Sequence, residues 1–384
     1  MAFAKETGKQ KSSSNIERVE LPEKVKNSRI LILGGTGRVG GSTALALSKF
    51  CPDLRIVIGG RNRDKGAEMV TKLGNNTEFS EVDINDSKSL EEALKDVDLV
   101  VHTAGPFQQA EKCTVLEAAI QNKTAYLDVC DDTTYASRAK SYMNRALDAN
   151  VPAITTGGIY PGVSNVMAAE LVRAAKSEGK GEPQRLRFYY YTAGSGGAGP
   201  TILSTSFLLL GRRNLPEVRS IHEVLGVPTV SARFGTAPFF WNWGMVAMTY
   251  LLPAETLRDR SKVQQLVQSF DPLVRAVDEF TGEKVSMRVD LDCSDGRSRI
   301  GVFSHKKLSK SVGISTAAFV LAILEGSTQP GVWFPEEVPQ GIAIEARETL
   351  LSRAAQGTFN FVMNKAPWMV ETNPKEIGFG IYDY

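Results

Sequence analysis

The chain is poor in the residues that most often build metal and thiol chemistry. Its 384 residues include three histidines and four cysteines, and Cys51, Cys113, Cys130 and Cys293 are scattered with no Cys-x-x-Cys pair among them. That spacing argues against a disulfide framework and a zinc module, and it fits a reducing compartment, the cytoplasm or a plastid stroma. An excess of one charge is also lacking. Lys and Arg number 45 against 43 Asp and Glu, leaving +2, so nucleic acid is not an expected partner. The first 26 residues hold no apolar segment of a secretory signal, and Glu6, Glu17, Glu20 and Glu23 are foreign to a transit peptide. No membrane span is expected either: the uncharged window Phe234–Ala254 is interrupted by Pro238, Asn242 and Gly244, and it reads as a buried or interfacial segment. No Ser–His–acid set is visible. Tyr160 has no lysine four residues on, since Lys176 is the next one, which disfavours a Tyr-x-x-x-Lys mechanism.

What remains is an ordinary globular composition, 42% hydrophobic and 23% charged, at a length suited to two or three domains. Arg29–Leu33 is a short apolar run, as a buried parallel strand should be. It leads into Gly34-Gly35-Thr36-Gly37-Arg38-Val39-Gly40 and a helical stretch. Gly35, Gly37 and Gly40 satisfy G-x-G-x-x-G; Gly34, Gly37 and Gly40 satisfy the looser G-x-x-G-x-x-G. Between a strand and a helix, such glycines allow a tight turn and a close backbone approach to a pyrophosphate held at the helix N-terminus. The next strand, Leu54–Ile58, ends in Gly59-Gly60-Arg61-Asn62-Arg63. An NAD site would place a carboxylate there for the ribose 2′-hydroxyl, whereas Arg61 and Arg63 around Asn62 suit a 2′-phosphate. The expected cofactor is NADP(H). The alternative is that both arginines are solvated loop charges.

Three further strand ends extend the pattern. Asp83 closes a third strand and either faces the adenine or sits in the turn. Asp98–Val101 opens into His102-Thr103-Ala104-Gly105-Pro106-Phe107, and Ala125–Cys130 is followed by Asp131 and Asp132. In a doubly wound sheet such loops line the ligand crevice, so Ala104, Gly105 and Pro106 are expected near the nicotinamide. Strands alternating with helices give an α/β fold: an N-terminal Rossmann doubly wound parallel sheet with an inserted α+β substrate domain. The expected division is a flexible arm at 1–26, the NADP-binding domain at 27–156, an α+β substrate or dimerisation domain at 157–310, and a segment at 311–384 packing back on the first domain. In the middle region Arg185–Tyr191, Val227–Phe234, Lys284–Asp292 and Arg299–Phe303 read as strands, Gly194–Pro200 as a mobile loop, and Thr201–Leu210 as a helix.

Val100-Val101 with Ala104-Gly105-Pro106-Phe107, then Tyr126–Asp131, then Gly158–Asn165 resembles the saccharopine dehydrogenase-like oxidoreductase family, and Gly331–Glu337 resembles its return segment. The blocks are scattered over roughly residues 27–345. The resemblance implies hydride transfer between a nicotinamide cofactor and a carbon–nitrogen bond of a small amine or amino-acid-derived metabolite; more distant members act on enoyl or other apolar substrates. Tyr160 stands where the family often has an acid before Pro-Gly, and Val129-Cys130-Asp131-Asp132 replaces its usual residues after the fifth strand. The candidate proton donors are Tyr160, Cys130, Asp131 and His102, with Asp128 as an orienting group or turn acid. Two readings stand beside the leading one: a reductase of an apolar enoyl or carbonyl compound, and an NADP(H)-binding sensor without turnover. The aromatic window near Trp241 and Trp243 suits a core, an apolar pocket or the interface of a homodimer. Arg212, Arg213 and Arg233 are the arginines available for a dicarboxylate.

Overall fold

The computed structural model describes residues 16–370 except 75, 109, 180, 194–214, 238–239, 254, 257–258 and 282. The first half alternates strand and helix. Its strands are β1 (Arg29–Leu33), β2 (Arg55–Gly60), β3 (Thr77–Glu81), β4 (Leu99–His102), β5 (Ala125–Asp128) and β6 (Pro152–Ile154). The helices between them are α1 (Arg38–Phe50), α2 (Arg63–Leu73), α3 (Ser87–Ala93), α4 (Thr114–Gln121), α5 (Thr133–Lys140) and α6 (Met143–Asp148). The order is 3-2-1-4-5-6 and every pair is parallel. Helices cover both faces, so β1 is apolar from Ile30 to Leu33: Ile30 and Ile32 enter one core and Leu31 and Leu33 the other. The doubly wound sheet expected from the sequence is present, and its strand order reverses between β1 and β4, where such sheets bind ligands.

The second half continues with α7 (Val163–Ser177), β7 (Pro183–Ala193), α8 (Pro216–Leu225), β8 (Thr229–Ala237), α9 (Phe240–Leu251), α10 (Arg260–Thr281), β9 (Lys284–Cys293), β10 (Ser298–His305), α11 (Leu308–Leu324), β11 (Gly331–Trp333), α12 (Ile344–Ala354) and β12 (Thr358–Lys365). A second sheet has the order 12-10-9-7-8, with β7 and β8 parallel and the rest antiparallel. Alternate residues of β7 and β9, among them Leu186, Phe188, Met287 and Val289, share a core with Met167 and Leu171 of α7. That helix therefore links the two sheets.

Three details depart from the sequence reading. Residues 16–26 are packed on the protein: Val19 N–H donates to the Phe50 carbonyl at 2.7 Å and Leu21 is buried, because Ile16, Val19, Leu21 and Val25 give this stretch an apolar side. The segment from 311 onward serves both sheets: β11 joins β6 in parallel as a seventh strand, and β12 pairs with β10. Among its described residues, the Phe234–Ala254 window exposes large side chains. It contains the end of β8 and all of α9, where Trp243 and Tyr250 are 70% and 86% exposed. Gly194–Pro200, Thr201–Leu210, Arg212 and Arg213 lie outside the described residues. Among the described residues no helix is long and apolar enough to cross a membrane.

Candidate active site

The turn between β1 and α1 settles which glycines matter. Gly34 has φ +78°, a conformation that side chains resist, and its N–H donates to the Gly59 carbonyl at 2.9 Å. A Cβ at Gly40 would lie 2.5 Å from Thr103 Oγ1 and closer still to the Gly34 carbonyl oxygen. The register is thus Gly34–Gly37–Gly40, with Gly35 packed beneath the turn against Ile58. Gly37 caps α1 without a side-chain bond, and no acid occupies the first turn. The N-terminal N–H groups of Arg38, Val39 and Gly40 and the positive end of the helix dipole therefore favour an anion here. Thr36 places its side chain over Gly60, at the end of β2.

The residues after β2 have separate occupations. Asn62 caps α2, accepting Lys65 N–H at 2.9 Å. Arg63 donates to Glu81 at 2.6 Å. Arg61 is exposed and makes no hydrogen bond or ion pair among the described residues, which leaves its guanidinium available for a 2′-phosphate. Asp83 spends Oδ1 on the Asn85 N–H at 3.0 Å, so its carboxylate shapes the turn, and Asp86 caps α3.

Beyond β4, Ala104 approaches the turn so closely that a Cβ at Gly34 would strike its nitrogen at 2.9 Å. The Gly105–Pro106 peptide is cis. His102 is buried with its ring edge-on to Phe107, centroids 4.8 Å apart; Nδ1 accepts the Ala104 N–H. Burial lowers its pKa to about 3, so the ring is the neutral imidazole near pH 7, with Nδ1 as the acceptor. Cys130 is buried too, its thiol pushed well above its ordinary range by desolvation, and Sγ accepts the Asp132 N–H at 3.3 Å. Asp128 is the hub of this end of the sheet. It accepts Tyr126 OH at 2.9 Å, Cys130 N–H at 3.0 Å, Thr155 OH at 3.1 Å and Thr156 N–H at 2.8 Å.

Asp131 is different. It is half-buried, accepts Gln108 Nε2 at 2.7 Å, and its pKa rises to about 6 through desolvation, with Asp132 and Asp128 adding to the rise. Tyr160, half-buried, stacks on Tyr190 with centroids 4.6 Å apart, and burial holds its hydroxyl well above the usual range.

Sequence reasoning missed the residues facing these from the second half. Tyr190 of β7 donates to Glu217 Oε1 at 2.8 Å. Glu217 opens α8, is 1% exposed, and its pKa rises to about 7 through burial, with Glu336 and Asp131 adding to the rise. One turn on, Ser220 Oγ accepts Asn165 Nδ2 at 3.4 Å. Glu336, after β11, is buried beside Ser220 and Asn165 without reaching hydrogen-bond geometry to either. Glu336 lay within a quoted motif, but Glu217 follows a plain Leu-Pro helix start and carries no signal. Among the described residues no group of side chains could hold a metal ion.

Residues 30–156, containing the whole β1–α1 turn and the Asp128 hub, match the sequence model of the saccharopine dehydrogenase NADP-binding domain. The chain carries a saccharopine dehydrogenase-type NADP-binding domain. Its cofactor is NADP(H), in keeping with the missing acid after β2 and the unpaired Arg61. An NADP(+) shikimate dehydrogenase from Methanosphaera stadtmanae is 27% identical over 88 residues, 23% of this chain and 30% of that protein. The chain thus spans less than a third of this curated relative. The apo, histidine-tagged saccharopine dehydrogenase (L-Glu forming) from Saccharomyces cerevisiae superposes over 84% of this chain and 96% of its own, with a TM-score of 0.57 and 14% identity. At that identity the match shows the fold. The saccharopine dehydrogenase-like architecture therefore includes the second sheet as well as the NADP-binding domain.

Proposed function

We propose that the protein is an NADP(H)-dependent oxidoreductase that moves a hydride to or from a carbon–nitrogen bond of a small amine or amino-acid-derived metabolite. The observation that carries this reading is Asp131: a carboxyl with a pKa of about 6, on the loop after β5, at the strand ends where the nicotinamide of such a sheet lies. A group that exchanges its proton near neutrality is what general acid–base chemistry at nitrogen requires. Bound NADPH supplies a hydride, which is two electrons and one hydrogen. Asp131 supplies or removes the accompanying proton, Gln108 orients the carboxyl, and Asp128 holds the loop that carries both Cys130 and Asp131. Arg61 takes the 2′-phosphate, and the first turn of α1 takes the pyrophosphate.

The test is a panel of amines, imines, enoyl and carbonyl compounds, with NADPH absorbance as the readout. The expected result is turnover of amine or imine members, with kcat rising or falling about an apparent pKa near 6. Turnover of enoyl or carbonyl members alone would replace the substrate class. Tight NADPH binding without turnover of any member would make the protein a nucleotide sensor.

A further inference from the structure

We propose that Glu217 and Glu336 together form a seat for a positively charged nitrogen of the substrate, a primary ammonium group. This rests on the reading of the crevice as a substrate site, and it adds what the substrate must carry. The argument begins with unmatched acceptors. Glu217 is 1% exposed and Glu336 fully buried, yet Glu217 Oε2 and both Glu336 carboxyl oxygens have no donor among the described residues. Buried polar groups are nearly always paired, and buried charges are expensive unless they are. Here three acceptors without donors meet around one turn of α8, because Glu336 lies against Ser220, three residues after Glu217. An ammonium group has three N–H donors and no acceptor, so one such group would satisfy all three.

The nearest buried cation is already committed. Arg347 is 1% exposed; its Nε donates to the Ile342 carbonyl at 3.1 Å, its Nη2 to the main-chain carbonyl of Glu336 at 3.0 Å, and its Nη1 lies 3.6 Å from Glu170. It makes no ion pair with the Glu336 carboxyl among the described residues. Among the described residues, the groups facing Glu217 are Tyr190 from β7, Tyr160 after β6, Asp131 after β5, Ser220 from its own helix, Asn165 from α7 and Glu336 after β11. None of these is a cation. The stacked rings of Tyr160 and Tyr190 lead from half-buried Tyr160 toward the seat.

Without a ligand, Glu217 is half protonated near pH 7; an arriving ammonium lowers its proton affinity and sends that proton to solvent. The test is calorimetric titration of the full chain, saturated with NADP(+), with n-butylammonium and with n-butanol as the neutral control. The seat requires binding of the cation and not of the alcohol, release of about half a proton at pH 7 measured across buffers of different ionisation enthalpy, and affinity that falls as pH drops below 7, approaching tenfold per unit. Glu217→Gln, which keeps an acceptor for Tyr190, should weaken n-butylammonium about tenfold or more and abolish proton release. Glu336→Gln is the second variant and should weaken it similarly. Equal binding of butanol, or undiminished binding by both variants at unchanged melting temperature, overturns the seat. The oxidoreductase reading fails separately: its NADPH panel can be silent while the cation binds, and it can be active on carbonyl compounds while the cation does not.

Discussion

At the cofactor end, the groups proposed to hold the ligand come from two short stretches, 34–40 and 60–63, and many of them are backbone N–H groups. At the substrate end, Gln108, Asp131, Tyr160, Asn165, Tyr190, Glu217 and Glu336 come from loops, strands and helices spread over more than half the chain. The first end is a local solution to a generic problem, which is to hold a pyrophosphate on free N–H groups. The second is assembled only when both sheets are in place, and its acids have neighbours that move their proton affinities toward neutrality. The contrast implies that substitutions at the two ends should separate cleanly: binding of the dinucleotide at one, proton traffic and turnover at the other.

Asp131→Asn presses hardest on that separation. It should lower kcat by about a hundredfold or more, within the range of a lost general acid, while NADPH affinity measured by fluorescence titration stays within about twofold. A large loss of NADPH affinity would merge the two ends. Asp128→Ala should act on neither ligand directly but on the fold. It strands buried donors on Tyr126, Cys130, Thr155 and Thr156, and urea unfolding should show a loss of about 3–5 kcal/mol. A pH series on Glu217→Gln sharpens the account of the substrate end. Burial raises the wild-type carboxyl from 4.5 to about 7, so the folded state holds the extra proton between those values. Its contribution is full below pH 4.5 and is lost as pH rises through 7, roughly 3 kcal/mol at most. The variant should lack that part of the decline; identical slopes would mean that Glu217 does not titrate in this window. Arg61→Ala, the smallest effect, should weaken NADPH about tenfold with NADH unchanged, and Arg63→Ala should do less, since Glu81 already occupies that guanidinium.

What the sequence revealed follows the same division. The β1–α1 turn and the absent acid after β2 are contiguous, and their chemistry depends on order along the chain, so the cofactor and the parallel sheet were legible. Even there, the choice between Gly34 and Gly35 as the turn glycine needed a backbone angle, and the pairing of Arg63 with Glu81, 18 residues away and on the next strand, is not written in the spacing. His102 and Cys130 were plausible acids because both end strands; burial, which spacing does not report, keeps one neutral and the other protonated. Glu217 was invisible because nothing in Leu215-Pro216-Glu217 distinguishes a helix start on the surface from one pressed against β7. The aromatic window left core, pocket and interface open, and the exposed Trp243 and Tyr250 of α9 go against the core alternative, because lack of charge does not report burial.

The placement of β11 and β12 has a consequence for how the chain is made. Each is the last strand at one margin of its sheet, and both follow every other described strand in chain order. Domains usually finish folding in the order in which they leave the ribosome. Here the nascent chain carries an unfinished margin at β6 until Trp333 has emerged, and another at β10 until Lys365 has. A premature stop between His305 and Gly331 would leave both open to pairing with other chains.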